Sequence, residues 1–248
     1  SDLAAWPPES HHASTLSRPP LLPHAVNPMR RLCLALVVLL VATAQHVSTQ
    51  PAGDLRIYIA RHGESVTNVS GTVSGWTDVA LTAKGREQAR ALAQQFRRVP
   101  LEAIYASSLS RSRLTAETVA AGRMRVTVLP DLRERNWGAF TGKPANDPEY
   151  RRRRVLEDDA MDGGETRAAF FARVSDVVAE IRRTHPRGAV LIVGHGATNQ
   201  QVLRALLGLT AEQAEAINQA NDEVYAVDLG AGHAPLLWKH VGPGNLGE

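Results

Sequence analysis

The chain has 248 residues, of which 44% are hydrophobic and 21% charged, and its formal net charge is +3 at pH 7. These values are typical of one sizeable folded domain with extensions, and the charge is too mild to indicate a nucleic-acid partner. The chain's one cysteine, Cys33, excludes an intrachain disulfide and a cluster of thiolate metal ligands.

The N-terminal part is predicted to precede the folded domain. Residues 29–45 are MRRLCLALVVLLVATAQ, in which two arginines precede a short apolar run and a small-residue pattern. This predicts a signal peptide at 29–44, because the apolar run is short for a membrane span. We expect a secreted or periplasmic protein without stable membrane association after cleavage; an uncleaved membrane anchor is the alternative. Residues 1–28 are predicted to be a disordered or non-native upstream extension, and 45–53 a linker.

Beyond this linker, short β-rich runs alternate with amphipathic stretches. Strands are predicted at 55–60, 101–107, 124–130, 189–194 and 223–229, and helices at 81–99, 109–122, 170–185 and 197–209. The alternation predicts one α/β domain over 54–248, a three-layer sandwich with a mostly parallel central sheet and helices on both faces. Segment 138–166 interrupts the alternation with a run of four arginines, 151–154. We predict a lid insertion there, because long connections are typical of lids and binding loops.

The two most apolar strands end in similar sequences, RHG at 61–63 and GHG at 194–196. Ligands of such sheets bind beyond the carboxyl ends of the strands. If the two strands are neighbours, His62 and His195 share one crevice. Helix N-termini beside it would favour phosphate, and glycines such as Gly196 would let the backbone approach a ligand closely.

Six motifs occur in an order that resembles the histidine phosphatase superfamily, in its phosphoglycerate mutase-like branch (branch 1). They are RHGE with Asn68, GWTDVALTAKGREQA (75–89), YASSLSRSRLTAE (105–117), LRERNWGAFTGK (132–143), GGET (163–166) and VGHG (193–196). The motifs span about residues 55 to 229, which is nearly the whole predicted domain.

The resemblance implies a phosphomonoester hydrolase that needs no cofactor and no metal. Arg61 and Arg111 are expected to clamp the phosphoryl group, because a guanidinium binds phosphate oxygens bidentately, and His195 to donate a further hydrogen bond. His62 is then the nucleophile that forms a phosphohistidine, and Glu134 the proton donor to the leaving oxygen.

Two further residues are assigned to the phosphate or the substrate. Asn68 matches a family position that contacts them, and Gly196 follows from the glycine argument above. Glu64 is a weaker candidate for positioning substrate or His62. The expected partner is a small phosphomonoester, and the oligomeric state stays unknown.

Several charged or polar residues have simpler interpretations. Glu134 could pair with Arg133 or Arg135 instead of acting as an acid. His185 and His240 are interpreted as ordinary surface residues.

Structural interpretations also exist for other motif residues. Arg113 is expected to point into solvent, and Thr198 and Asn199 are expected to cap a helix. The arginine run 151–154 could form a charged helix face, balanced by the acidic residues of 157–159.

The predicted function is therefore a phosphatase with a broad or sugar-phosphate-type substrate, and sugar bisphosphates are a possible substrate class. The first alternative is a phosphoglycerate mutase-type phosphotransfer, for which the arginines of 151–154 would grip a second anion. A third interpretation, from another functional class, is a catalytically weak protein that binds phosphorylated ligands.

Overall fold

The structure is a computed structural model that describes residues 54–230, 232–241 and 246. The predicted signal peptide and linker lie outside the described residues. The strands are β1 (Leu55–Arg61), β2 (Ala103–Ser107), β3 (Val126–Leu129), β4 (Gly188–Gly194), β5 (Glu223–Leu229) and β6 (Leu236–Val241). The helices are α1 (Val66–Ser70), α2 (Ala83–Gln95), α3 (Ser110–Ala120), α4 (Pro148–Arg153), α5 (Arg167–Thr184), α6 (Gly196–Leu207) and α7 (Ala211–Glu215). None of these helices is long and apolar enough to cross a membrane.

The six strands form one sheet in the order β3-β2-β4-β1-β5-β6. The pairs β1–β4, β2–β4 and β2–β3 are parallel, whereas β5 runs antiparallel to both β1 and β6. The sheet is therefore mostly parallel with an antiparallel edge, and the predicted α/β fold is confirmed.

Alternating side chains of β1 build the two halves of the core. Leu55, Ile57 and Ile59 pack with residues of α5 and α6 on one face of the sheet. Tyr58 and Ala60 pack with residues of α2 and α3 on the other face. A strand that is apolar on both sides needs cover on both sides, which gives the three predicted layers.

The register of β1 against β4 places the two histidine motifs side by side. Arg61 lies opposite Gly194, and the backbone N–H of His62 donates to the carbonyl of Gly194 at 3.0 Å. Both strands end here, so the loops that follow them open at the same edge of the sheet. The predicted neighbourhood of His62 and His195 is confirmed.

The connecting segment 138–166 forms a small apolar cluster with two residues that precede it in the chain. It consists of five buried side chains, contributed by Val73, Trp137, Phe140, Tyr150 and Met161. The guanidinium of Arg135 donates to three main-chain carbonyls of this segment, those of Arg154, Asp159 and Glu165. These contacts fix the segment to the loop that precedes it.

Some local structure differs from the sequence-based expectation. The short helices α1, α4 and α7 and the edge strand β6 were not predicted. The interpretation of His185 as a surface residue is wrong: its ring lies beside Tyr105, whose hydroxyl is 2.8 Å from Nε2, and its side chain is 14% exposed.

Candidate active site

A cavity of about 300 Å³ opens at the carboxyl edge of the sheet, where β1 and β4 end. Six of the seven predicted site residues line it: Arg61, His62, Asn68, Arg111, Glu134 and Gly196. The seventh, His195, is fully buried, and its ring centroid lies 5.1 Å from that of His62. The structure thus brings all seven together from five separate stretches of chain.

The imidazole of His62 is held in one tautomer. Its Nδ1 lies 2.7 Å from the carbonyl oxygen of Gly63. A carbonyl can only accept, so Nδ1 carries the proton and Nε2 keeps its lone pair. The ring therefore presents a nitrogen that can act as a nucleophile.

Arg111 holds the imidazole of His195 in the tautomer opposite to that of His62. Its Nε donates to Nδ1 of His195 at 3.2 Å, so the proton of a neutral His195 lies on Nε2. That Nε2 is buried and has no hydrogen-bond partner among the described residues. The carbonyls of Thr77 and Gly75 accept from the two other nitrogens of Arg111 at 2.9 and 3.0 Å. The guanidinium is thus rigid before any ligand binds.

Arg61 supplies a second cation to the cavity. Its Nη1 donates to the carbonyl of Gln219 at 2.8 Å, while its buried Nε lacks a partner in the described part of the chain. A buried unpaired N–H is costly, and an acceptor atom of a ligand would satisfy it. Nε of Arg61 and Nε2 of His195 are both such donors.

Burial and mutual repulsion favour neutral histidines at this site. The pKa of His62 is held well below its usual value, first by burial and then by the charges of Arg111 and Arg61. The pKa of His195 is lowered in the same way, by burial and then by Arg111. A neutral His62 is the form in which its Nε2 can attack.

The carboxylate of Glu134 is positioned by main-chain donors. It accepts from the backbone N–H of Arg135 at 2.9 Å and from that of Ala197, in the first turn of α6, at 3.1 Å. The guanidinium of Arg133 lies 3.8 Å above the ring of Trp76 instead, and that of Arg135 binds carbonyls. The alternative that Glu134 pairs with either guanidinium is therefore wrong.

Asn68 has two functions in the structure. Its side-chain oxygen accepts from the backbone N–H and the hydroxyl of Ser65, which closes a capping box at the start of α1. The same side chain lines the cavity. The cap fixes the rotamer with which Asn68 faces the cavity.

Comparison with known proteins agrees with this geometry. A family model described as the histidine phosphatase superfamily (branch 1) matches residues 57–240. The chain belongs to this superfamily. It is an enzyme of the histidine phosphatase type, as its resemblance to proteins named as phosphatases also indicates.

Three relatives illustrate the range of the superfamily around this chain. Phosphoserine phosphatase 1 of Hydrogenobacter thermophilus is 32% identical over 62% of this chain and 77% of its own. "Probable phosphoglycerate mutase GpmB" of an Enterobacter species is 30% identical over 70% of this chain and 85% of its own. The crystal structure of the alpha-ribazole phosphatase of Shigella flexneri superposes with a TM-score of 0.68 at 27% identity, covering 77% of this chain and all of that one.

In this histidine phosphatase, the glycines beside His62 and His195 were expected to let the backbone approach a ligand closely. Two of them have a different role. A Cβ on Gly63 would lie 2.2 Å from the carbonyl oxygen of Gly85 in α2, and one on Gly194 would lie 2.2 Å from Oδ1 of Asn199. These two glycines permit close packing of the protein on itself. Gly196 alone of the three lines the cavity, where a Cβ would make an ordinary contact with the guanidinium of Arg61.

Helix capping is the wrong interpretation of Thr198 and Asn199. Helix α6 has His195 as its N-cap without a side-chain bond. The hydroxyl of Thr198 donates to the carbonyl of Arg133 at 2.9 Å, which steadies the Glu134 loop. The amide of Asn199 donates to the carbonyl of Ala60 at 3.0 Å. Both side chains tie α6 to neighbouring parts of the site.

Sequence reasoning missed the segment 217–222, which closes one side of the site. The carbonyl of Gln219 accepts from Arg61, and its buried side-chain amide donates to the carbonyls of Ile59 and Glu223 at 2.9 Å. The amide of Asn221 donates to the carbonyl of His62 at 2.6 Å. These side-chain amides bind the end of β1. They belong to no recognisable sequence motif, because only the fold brings them next to that strand.

The arginine run separates into three kinds of residue. Arg152 pairs with Glu149, and Arg153 pairs with Asp159 and Asp162. Among the described ion pairs, Asp159 is the one acidic residue of 157–159 that pairs with this run. The prediction that these acidic residues balance the arginines is therefore only partly correct.

The first and last arginines of the run differ from these pairs. Arg151 is exposed, whereas Arg154 lines the cavity.

Arg113 pairs with Glu117 outside the cavity, as predicted for a residue that faces solvent. Glu64 binds Thr82 and Lys84, not His62. Within the described residues, no group of three or more His, Cys, Asp or Glu side chains could hold a metal ion.

Proposed function

We propose that this histidine phosphatase hydrolyses small phosphomonoesters through a phosphohistidine on His62. The observation that carries the proposal is the pair of opposite tautomers. Nε2 of His62 keeps a lone pair, whereas Nε2 of His195 carries a proton for which the described residues offer no hydrogen-bond acceptor. One imidazole can attack a phosphorus atom, and the other can donate to an oxygen on it. Export of the protein from the cytoplasm stays a prediction.

The charges of the cavity suit a phosphoryl group. Arg61 and Arg111 provide two positive charges, whereas Glu134 is the one acidic side chain among the described cavity residues. Guanidinium groups that are already held in place stabilise the charge on the equatorial oxygens without reorganisation. Asn68 and Gly196 complete the proposed phosphate contacts.

The proposed first step forms a P–N bond at Nε2 of His62 and breaks the P–O bond to the alcohol. Glu134, in its acid form, gives its proton to the departing oxygen. In the second step Glu134 takes a proton from water, the resulting hydroxide attacks phosphorus, and the P–N bond breaks. Inorganic phosphate and the free alcohol are the products, and His62 and Glu134 return to their starting forms.

The test compares the chain with its His62→Ala variant on a panel of phosphomonoesters that includes 3-phosphoglycerate, with and without a bisphosphate primer. Released phosphate and isomerised product are measured separately. We expect phosphate release that disappears in the variant. Isomerisation without release would instead favour the mutase-type phosphotransfer, and phosphate release that persists in His62→Ala would contradict the proposed nucleophile.

A further inference from the structure

We infer that the ion pair of Arg173 and Glu165 positions the proposed proton donor, because it holds the loop that carries Glu134 so that the carboxyl group faces the cavity. The inference rests on the proposed function, since it concerns the acid of that reaction. Neither member of the pair is among the described residues that line the cavity. Both are therefore positioning residues, which act on the reaction through Glu134.

The loop around Glu134 depends on other parts of the chain for its shape. Residues 134–137 belong to no helix or strand, so no regular hydrogen-bond pattern fixes them. The carbonyl of Glu134 accepts from Nε1 of Trp76 at 2.6 Å, and the carbonyl of Arg133 accepts from the hydroxyl of Thr198 at 2.9 Å. Because a carboxyl group moves with its backbone, the side chains that hold this loop also set the position of the acid.

Arg173, on α5, binds the loop on the side that precedes Glu134. Its Nη1 donates to the carbonyls of Asp131 and Arg133, at 2.6 and 3.2 Å. Its Nε and Nη2 each donate to one oxygen of Glu165 at 2.8 Å. One planar guanidinium thus joins α5, the chain before the acid and the GGET motif, and the rigid fork of its donors fixes their geometry.

Glu165 binds the loop on the side that follows Glu134. Its Oε2 accepts from the backbone N–H of Asn136 at 2.8 Å, and its own backbone N–H donates to the carbonyl of Asn136 at 2.9 Å. A Cβ on Gly164 would lie 2.3 Å from that carbonyl oxygen, so this glycine permits the close approach of the two segments. The ion pair therefore holds the chain on both sides of the acid.

The pair is shielded from solvent, which makes it a firm link. The side chains of Arg173 and Glu165 are 14% and 16% exposed. Arg183 and Glu180, near the end of the same helix, also form a bidentate pair, but their side chains are 75% and 60% exposed. Exposed pairs contribute little to stability, whereas loss of one partner of a shielded pair leaves an uncompensated charge. Arg183 is therefore the matched control for Arg173.

The test compares two substrates of the full chain that differ in their need for a proton, glycerol 3-phosphate and dinitrophenyl phosphate. The dinitrophenyl group departs without a proton, so the ratio of kcat/KM for the glycerol ester to that for the dinitrophenyl ester reports how well the acid works. Arg173→Gln should lower this ratio about ten-fold to a hundred-fold, since displacement of a catalytic group by about 1 Å can cost that much. Arg183→Gln should leave it within about two-fold of wild type.

A double variant separates positioning from a general loss of structure. If Arg173 acts through Glu134, adding Arg173→Gln to Glu134→Gln should not lower the ratio further, because the acid is already absent. Glu165→Gln should lower the ratio in the same direction as Arg173→Gln. Arg173→Lys keeps the charge but lacks the fork, so its ratio should lie between those of wild type and Arg173→Gln. The lysine variant also provides the test if the glutamine variant folds poorly.

A ratio that Arg173→Gln and Arg173→Lys leave at the wild-type value would overturn the inference, and so would equal slowing of both esters. Failure of the proposed function is recognised in the wild-type chain, as the absence of His62-dependent hydrolysis of either ester. The position of Glu134 is then measured by NMR from the amide proton of Ala197, which donates to its carboxylate. A signal that shifts in Arg173→Gln but not in Arg183→Gln would sustain the positioning and reject the hydrolysis, whereas an unchanged signal would reject both.

Discussion

Replacement of Glu134 by Gln separates its proposed role as an acid from its structural role. The side chain keeps its length, so one amide oxygen can still accept from the N–H of Arg135 or of Ala197. The amide group faces the other N–H and loses one charge-assisted bond. This should lower the free energy of unfolding by about 1–3 kcal/mol, a loss that a folded domain tolerates.

The expected effect on catalysis is larger and depends on the leaving group. General acid catalysis typically contributes about 10²–10⁴-fold, so hydrolysis of an alkyl phosphate should slow by that factor. A dinitrophenyl phosphate has a leaving group that departs without a proton, so phosphorylation of His62 should be nearly as fast as in wild type.

The assay follows single turnovers of both esters in wild type and Glu134→Gln by rapid quench. With the dinitrophenyl ester the variant should release the phenol in a burst and accumulate phosphohistidine, since no base remains to activate water. Equal slowing of both esters would refute the role of Glu134 as proton donor, because loss of structure or binding would then explain the change.

The remaining predictions concern the support of the site. Gln219→Leu removes the side-chain donor of two carbonyls and the acceptor of the Asn199 amide, so it should cost about 2–5 kcal/mol in urea unfolding and weaken phosphate binding through Arg61; an unchanged affinity would contradict this. Gly63→Ala should destabilise the fold by at least 1–3 kcal/mol, roughly the cost of overpacking, whereas Gly196→Ala should cost less in the same assay. Because the two buried site histidines have lowered pKa values, stability should fall as pH drops below about 6.5, by up to about 2.7 kcal/mol per pH unit. Urea titrations at pH 7, 6 and 5 measure this slope, and a flat profile would contradict the burial argument.

The pH prediction follows from linkage. A histidine with a folded pKa below its unfolded value binds fewer protons when folded, so acid favours the unfolded chain. Each such group contributes about 1.4 kcal/mol per pH unit between the two pKa values, and two groups contribute twice that slope. A His62→Asn variant should lose about half of it.

The regular elements were predictable because each has a strong local signal. The run 189–194 is apolar throughout, as a central parallel strand requires, and α5 shows helical spacing at Val174, Val178 and Ile181. Thr82, a residue type that is common at helix N-caps, caps α2 by accepting from the N–H of Gly85. The short helices were missed, because five or six residues hold too few turns to show a period.

Only the site residues that belong to sequence motifs could be predicted. The sequence places His62 and His195 after two apolar strands, and the sheet order confirms that these strands are neighbours. The tautomers could not be predicted, since they depend on a carbonyl and on a guanidinium 84 positions away in sequence. The supporting amides of Gln219 and Asn221 gain their roles from tertiary contacts alone.

The central claim is that His62 is the residue that carries the phosphoryl group. The most direct measurement treats the full chain with a ³²P-labelled phosphomonoester, stops the reaction in base, and locates the label by peptide mass spectrometry. We predict an acid-labile, base-stable phosphoramidate on the peptide that contains His62, absent from His62→Ala and longer-lived in Glu134→Gln. A label on His195, or phosphate release by the chain with no labelled histidine on any timescale, would contradict the account.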